Sequence, residues 1–234
     1  MVAPSGPALV STEASGTEAA GAAAVVLAGG AARRFKDRDK LVHDLDGRAV
    51  LSRVLDALAG AGAGPVVVVG PERAGITDGW TTVRESPAGG GPVAGLAAGI
   101  AHLRASGSGF DDEARPVLVL AGDLPYLTVG ALGSLVAAIR SRPGPAPVDV
   151  ALAVDDAGRH QYLLGAWRAA ALVDALAEHA PPAGRSMRDL VSGRRVAPVR
   201  LVEPAAGPAP WVDLDEAPPE PPPRTGPALT HPDP

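Results

Sequence analysis

The residues best suited to chemistry lie in one basic stretch near the start of the chain, "AGGAARRFKDRDK". Two glycines open it, and five basic and two acidic residues fall between Arg33 and Lys40. The chain's only lysines, Lys36 and Lys40, are both here. A glycine-rich turn can present backbone N–H groups to an anion, and lysine adds a compact, flexible positive charge. On a chain with a formal net charge of −5, the stretch predicts a site for a small anion such as a triphosphate. Each charge taken alone also fits a solvated loop.

Two well-known phosphate-binding patterns do not fit this stretch. A P-loop requires G-x-x-x-x-G-K-[ST], and Gly-Lys-Ser/Thr occurs nowhere in the chain. A dinucleotide-binding turn requires G-x-G-x-x-G, but Gly29 and Gly30 are followed by Ala, Ala, Arg and Arg. The remaining interpretation is a turn of small residues that leads into a basic loop.

The surrounding pattern predicts the elements that position this loop. Apolar runs typical of strands (22–28, 65–70, 81–85, 115–123 and 148–154) alternate with helical patterns (49–62, 92–104 and 128–140, with Thr128 as N-cap). Such alternation indicates an α/β fold with a parallel sheet covered on both faces, whose ligands bind beyond the carboxyl ends of the strands. "GDLPYL", which contains Asp123, should therefore lie near the basic loop. After Asp155 we expect a strand-like start, a helix and a short helix near "SMRDLVSG", packed over the sheet edge and shaping a second pocket.

Composition bounds the class of protein. The chain has 234 residues, and 46% of them are hydrophobic, enough for one domain with a sizeable core. It has no cysteine, which excludes disulfides and thiolate chemistry. We expect a disordered segment at 1–21, one folded domain at 22–215 and a proline-rich disordered tail at 216–234. No signal peptide and no run of roughly 20 apolar residues is visible, so we expect a cytoplasmic protein with no membrane or nucleic-acid partner.

The basic stretch and three later segments together resemble the MobA-like nucleotidyltransferases. "LAGGAARRFKDRDK" is similar to the family pattern L-A-G-G-x-x-x-R-[MF]-G-x-x-D-K. "GGGPVAGLAAGI" resembles the family's G-P-L-A-G loop, and "LAGDLPYL" resembles its D-[MTL]-P-[FY] strand end. Weaker matches are "HQYLLGAWR" and "WVDLD". The resemblance implies a Rossmann-like three-layer α/β/α fold with a mostly parallel central sheet, like that of nucleotide-diphospho-sugar transferases.

The resemblance also implies an activity and its residues. Family members join a nucleoside triphosphate to a phosphorylated acceptor and release pyrophosphate, with GTP and molybdopterin as the favoured pair. We therefore expect small-molecule substrates. We also expect transient contact with proteins that accept the molybdenum cofactor, of which molybdopterin is the precursor. Arg34 and Lys40 would contact phosphates, with Lys40 stabilising the transition state. Asp123 would hold Mg²⁺, or Mn²⁺, with Asp215 as second ligand. The predicted nucleotide-binding residues are Leu27, Ala28, Gly29, Gly30, Arg34, Lys40, Gly91, Pro92 and Asp123.

Four departures from the family pattern leave alternatives open. Lys36 replaces a glycine, Ser86 replaces an aspartate, and Asp213-Leu214-Asp215-Glu216-Ala217 stands where the family has N-x-N-T-P. Proline-rich sequence replaces the usual C-terminal helix. The alternatives are CTP, or another small phosphorylated acceptor, with the same chemistry, and a degenerate homologue that binds nucleotide without turnover. For Asp123 and Asp215, a turn cap and the start of an acidic tail are the structural alternatives.

Overall fold

The computed structural model describes residues 19–29, 39–107, 110, 112–141, 146–202 and 207–213. The predicted site residues Gly30, Arg34 and Asp215 lie outside these ranges. So do residues 1–18 of the predicted N-terminal segment (1–21) and the whole of the predicted tail (216–234). The predicted domain limits stay predictions. Within the ranges, the strands are β1 Ala23–Leu27, β2 Asp44–Leu45, β3 Arg48–Ala49, β4 Val66–Val69, β5 Thr81–Val83, β6 Pro116–Ala121, β7 Val150–Val154, β8 His160–Arg168 and β9 Val196–Arg200. The α-helices are α1 Val50–Gly60, α2 Pro92–Ala105, α3 Val129–Arg140, α4 Ala169–Glu178 and α5 Met187–Val191.

Seven strands form one mostly parallel sheet in the order β5-β4-β1-β6-β8-β7-β9, while β2 and β3 make a separate hairpin. Strands β4, β1 and β6 are consecutive parallel neighbours, and they derive from the unbroken Val/Leu runs of the sequence. The predicted α/β class with a mostly parallel sheet is therefore confirmed. The predicted cap of α3 is also present, because the Thr128 side chain accepts a hydrogen bond from the Ala131 N–H.

The second half of the chain differs from the expectation. It was expected to pack over the sheet edge, but β8 enters the sheet between β6 and β7 and is antiparallel to both. A connection as short as that between β7 and β8 permits only an antiparallel pairing. Strand β9, which was not predicted, pairs with β7 alone in the described sheet. Its central Pro198 lacks an N–H, and prolines are tolerated at such a sheet edge.

Two apolar clusters on opposite faces of the sheet create the three layers. One cluster joins the sheet to α1 and α3, and the other joins it to α2, α4 and α5. Helix α2 approaches β1 closely because of its glycines: a Cβ on Gly99 would lie only 2.7 Å from Val25 Cγ1. This contact explains the glycine-rich composition of α2 and fixes its amino end beside the carboxyl end of β1. In the described ranges, every helix is too short or too polar to cross a lipid bilayer.

Candidate active site

A cleft of about 890 Å³ lies at the carboxyl edge of the sheet, beside the amino end of α2. This is the edge at which open α/β sheets bind ligands. Seven of the nine predicted nucleotide-binding residues lie in the described ranges, and all seven line the cleft. Its lining residues are Leu27, Ala28, Gly29, Asp39, Lys40, Leu41, Val69, Gly70, Pro71, Arg73, Arg84, Glu85, Ala88, Gly89, Gly91, Pro92, Gly95, Ala121, Gly122, Asp123 and Leu163.

Lys40 and Asp123 form an ion pair in this cleft. The Lys40 Nζ lies 2.5 Å from Asp123 Oδ2, and the two side chains are 25% and 18% exposed. Asp123 follows β6, where the Gly122 N–H donates to the Leu27 carbonyl oxygen at 2.9 Å and joins this turn to β1. Lys40 begins a short 3₁₀ turn, Lys40–Val42, which Asp39 caps through the Leu41 N–H. The structure thus brings together the lysine and the carboxylate that the sequence predicted separately.

Arg73 is a cleft residue that sequence reasoning missed. It lies in the turn after β4, and its side chain is 8% exposed. Its Nε donates to Asp39 Oδ2 at 2.7 Å, Nη1 to the Pro71 carbonyl oxygen at 3.0 Å, and Nη2 to the Ala28 carbonyl oxygen at 3.0 Å. The available signal was its position just beyond the carboxyl end of a buried strand.

The turns after β1 and β4, which Arg73 joins, are in very close contact. Gly70 has a φ of 154°, and a Cβ there would lie 2.6 Å from the Ala28 carbonyl oxygen. Such a distance is far inside ordinary van der Waals contact, so only glycine fits at this position. The Ala28 N–H in turn donates to the Val69 carbonyl oxygen at 2.8 Å. The two turns therefore form one rigid wall of the cleft.

Glu85 is a second residue that was not predicted as part of the site. It follows β5 and is half-buried, and its Oε1 accepts a hydrogen bond from the Gly89 N–H at 3.1 Å. Its Oε2 faces the β1 turn, since a Cβ on Gly29 would lie 3.7 Å away. A carboxylate repels phosphate, so Glu85 does not suit a phosphate-binding role. The signal in the sequence was an acidic residue at the end of the predicted strand 81–85.

The loop that contains the predicted nucleotide-binding residues Gly91 and Pro92 forms one rim of the cleft, beside the carboxyl end of β1. Gly91 is the N-cap of α2 and Pro92 its first residue, and no side chain caps the helix there. The N–H groups of the first helical turn have no intrahelical acceptors, and the helix dipole adds partial positive charge at this end. The loop before α5 supports the rim, because the Gly184 N–H donates to the Gly90 carbonyl oxygen at 2.8 Å.

The fit of a metal ion rests on Asp123. Among the described residues, no group of three or more His, Asp or Glu side chains could hold a metal ion. A Mg²⁺ site does not need three protein side chains, because one or two carboxylates commonly hold the ion together with waters and substrate phosphates. A hard oxygen donor at the cleft edge, next to Lys40, fits that chemistry. Asp213, two residues before Asp215, is described and half-buried.

A second, smaller cavity of about 190 Å³ is lined by Asp155, Asp156, Ala157, Arg159, Gln161 and Trp211. The predicted second pocket is thus present. The Asp155 carboxylate accepts hydrogen bonds from Arg159 N and Nε at 2.8 and 2.7 Å, and from Gln161 Nε2 at 3.3 Å. The backbone N–H and the guanidinium of Arg159 hold the pKa of Asp155 below its usual range. Because β7 runs parallel to β6, this cavity opens at the same edge of the sheet as Asp123.

Fold and site together define an α/β protein with a cleft at the carboxyl ends of the parallel strands. Comparison with known proteins identifies its family. The model of the MobA-like NTP transferase domain matches residues 24–198. The chain therefore belongs to the MobA-like NTP transferase family, and the resemblance inferred from its motifs is confirmed.

Individual proteins are similar to this chain in sequence or in fold. The bifunctional protein GlmU of Cutibacterium acnes is 31% identical over 175 residues, covering 74% of this chain and 41% of that protein. Three curated relatives are matched over 25% to 41% of their own length. Molybdopterin-guanine dinucleotide biosynthesis protein A of Archaeoglobus fulgidus has a TM-score of 0.54 at 20% identity, with 76% of this chain and 82% of that chain covered. The 4-diphosphocytidyl-2C-methyl-D-erythritol synthase of Anaerococcus prevotii has a TM-score of 0.53 at 12% identity, with 80% and 89% covered.

Proposed function

We propose that this protein is a Mg²⁺-dependent nucleotidyltransferase that moves a nucleoside monophosphate from a triphosphate, GTP by preference, to a phosphorylated acceptor, molybdopterin by preference. The observation that carries the proposal is the Lys40–Asp123 pair, 2.5 Å apart in a cleft beside a helix amino end. A lysine and a carboxylate so placed suit a site that handles a metal-bound triphosphate.

The proposed step exchanges one P–O bond for another. An oxygen of the acceptor's phosphate attacks the α-phosphorus, the bond from that phosphorus to the bridging oxygen breaks, and pyrophosphate leaves with the electron pair. Phosphoryl-group chemistry depends mainly on positioning and charge stabilisation. Lys40 neutralises the charge that moves onto the leaving pyrophosphate, and the α2 amino end binds phosphate oxygens through backbone N–H groups. Mg²⁺ held by Asp123 would supply further charge neutralisation, with Mn²⁺ as a substitute.

Glu85 supports guanine as the base. The Watson–Crick edge of guanine offers two adjacent donors, N1–H and the N2 amino group, which match the two oxygens of one carboxylate. The other bases present an acceptor there or only one donor. A polar group left unpaired in a buried site weakens binding strongly. CTP is the alternative, since one structural neighbour is a diphosphocytidyl synthase.

The second cavity supports a ring-containing acceptor. Strands β6 and β7 are separated by β8 alone, so their ends are about 10 Å apart. An acceptor would span that distance if its phosphate reached the Mg²⁺ that Asp123 would hold and its flat ring lay beside Trp211. Another small phosphorylated acceptor stays an alternative. The features that would suit a homologue without turnover are Lys36 and the proline-rich tail.

A thermal-shift panel with GTP, CTP, ATP and UTP, each with Mg²⁺, tests the nucleotide. At about 100 times Kd, a ligand stabilises the folded state by roughly 2.7 kcal/mol, which is easily measured. We expect GTP to give the largest shift, and inosine triphosphate, which lacks the N2 amino group, to give less. Glu85→Gln should reduce the difference between the two. A larger shift with CTP would select the alternative base, and no shift with any nucleotide would refute the proposal.

Turnover separates an active transferase from a silent homologue. Pyrophosphate release should require GTP, Mg²⁺ and molybdopterin together. Asp123→Asn, which nearly preserves the volume of the side chain, is the matched inactive control. Nucleotide binding without pyrophosphate release from any phosphorylated acceptor would favour the degenerate homologue.

A further inference from the structure

Arg73 holds both ends of the basic loop with one side chain. Residues 30–38 lie between Gly29 and Asp39. Arg73 Nη2 donates to the Ala28 carbonyl oxygen just before that segment, and Nε donates to Asp39 Oδ2 just after it. We call this arrangement, Arg73 with Ala28 and Asp39, the Arg73 clamp. Sequence separations of 45 and 34 residues show that the clamp is a tertiary contact.

The position of Arg73 is itself fixed by a local turn. The Arg73 N–H donates to Thr77 Oγ1 at 2.8 Å, and that hydroxyl donates to the Arg73 carbonyl oxygen at 3.1 Å. The Thr77 N–H also donates to the Arg73 carbonyl oxygen at 2.9 Å. Thr77 is buried, with 5% exposure. These bonds hold the backbone from which the Arg73 guanidinium extends to Ala28 and Asp39.

From Arg73 a continuous chain of contacts leads to Lys40. Arg73 Nε binds one oxygen of Asp39, and the other oxygen accepts the Leu41 N–H at 3.1 Å. That second bond caps the 3₁₀ turn whose first residue is Lys40, and Lys40 in turn contacts Asp123. Asp39 thus joins Arg73 to the turn that carries Lys40, because one carboxylate oxygen accepts from Arg73 and the other accepts from the Leu41 N–H.

We propose that Arg73 is a positioning residue, which acts through Asp39 to set Lys40 against the reacting phosphates. This inference rests on the proposed function. Arginine suits the task because its planar fork donates in several fixed directions at once, which the point charge of lysine cannot do. The pairing also neutralises Asp39, so this wall of the cleft does not repel a triphosphate.

The kinetic test combines Arg73→Lys with Lys40→Ala. Arg73→Lys keeps the charge and loses the fork, so it should lower kcat by about 10- to 100-fold, as a displacement near 1 Å does, with a smaller change in KM. In the Lys40→Ala background, Arg73→Lys should change kcat by no more than about twofold, because coupled residues do not act additively. An Arg73→Lys effect that persists in full in that background would overturn the proposal.

Arg115 provides a matched control at the opposite edge of the same two strands. Its Nε donates to the Gly21 carbonyl oxygen before β1, and its Nη2 donates to the Gly64 carbonyl oxygen before β4. Arg115→Lys should therefore lower Tm about as much as Arg73→Lys but leave kcat unchanged. If Arg73→Lys and Arg115→Lys lowered kcat equally, the role of Arg73 would be structural alone, and the proposal would be overturned.

A chemical measurement separates this inference from the proposed function. The chain has only two lysines, so acylation of Lys40 is easily followed by mass spectrometry, with the N-terminal amine as reference. If the clamp places Lys40, Arg73→Gln should change the acylation rate of Lys40 several-fold, and Arg115→Gln should not. If Arg73→Gln changes the acylation rate of Lys40 but the protein shows no turnover, the role of the Arg73 clamp stands and only the transferase assignment is rejected. An unchanged rate would reject the clamp, whatever the activity.

Discussion

Replacing Lys40 with alanine removes the ammonium that lies 2.5 Å from Asp123 Oδ2. The two side chains keep 25% and 18% of their surface exposed, so water screens the pair in part. A pair of this kind contributes on the order of 1 kcal/mol or less to the free energy of unfolding. In a domain of this size, such a loss lowers Tm by about 2–4 °C. We therefore expect Lys40→Ala to fold.

The loss of catalysis should be much larger than the loss of stability. Removing one group that stabilises developing negative charge typically lowers kcat by about 10²–10³, or about 2.7–4 kcal/mol in activation free energy. Lys40 has this role in the proposed step. The carboxylate of Asp123 stays in place in the variant and no longer has the ammonium beside it. Mg²⁺ binding in the absence of nucleotide should therefore be unchanged or tighter.

The assay is pyrophosphate release at saturating GTP and Mg²⁺, with Tm measured on the same preparations. Lys36→Ala is the matched control, since it removes the only other lysine and should have a mild effect. A kcat that survives Lys40→Ala, or an equal loss in both variants, would refute the role assigned to Lys40. A large fall in Tm would show that the residue is structural.

Three further predictions concern the metal, the loop and acid stability. Asp123→Ala should abolish activity, whereas Asp215→Ala should weaken activity and be partly rescued at high Mg²⁺ or Mn²⁺; an unchanged Mg²⁺ dependence for both Asp215→Ala and Asp213→Ala would place the second ligand elsewhere. Lys36→Gly should retain activity or raise it toward the family norm, and a loss as large as that of Lys40→Ala in the same assay would contradict this. Burial raises the pKa of Asp149, but the backbone N–H of Arg195 and the guanidinium groups of Arg195 and Arg168 outweigh it and hold the pKa below its usual range. The interactions of Asp149 therefore contribute their full stability above the unfolded pKa of about 4, and this stability is lost as pH falls through the lower folded pKa. Asp149→Asn should make the free energy of unfolding, measured in urea, less dependent on pH between about 2 and 4.

Local pattern was sufficient for much of the fold. The unbroken apolar runs became β1, β4 and β6, and the helical spacing became α1, α2 and α3. These elements bury a continuous face, so their periodicity is visible in a single sequence. Strand β9 was missed because its five residues, VAPVR, are interrupted by Pro198 and show neither a long apolar run nor a clear alternation. The antiparallel entry of β8 was missed because pairing partners are distant in sequence.

The sequence by itself determined the family and the two charged residues of the pair, because Lys40 and Asp123 each lie in a motif of adjacent residues. Only the tertiary structure decided that they touch, and that Arg73 and Glu85 share their cleft. Arg73 meets Asp39 across 34 residues and Ala28 across 45, and no local rule connects such positions. These contacts exist because the parallel sheet aligns the carboxyl ends of β1, β4 and β6 at one edge, where turns from distant parts of the chain pack together.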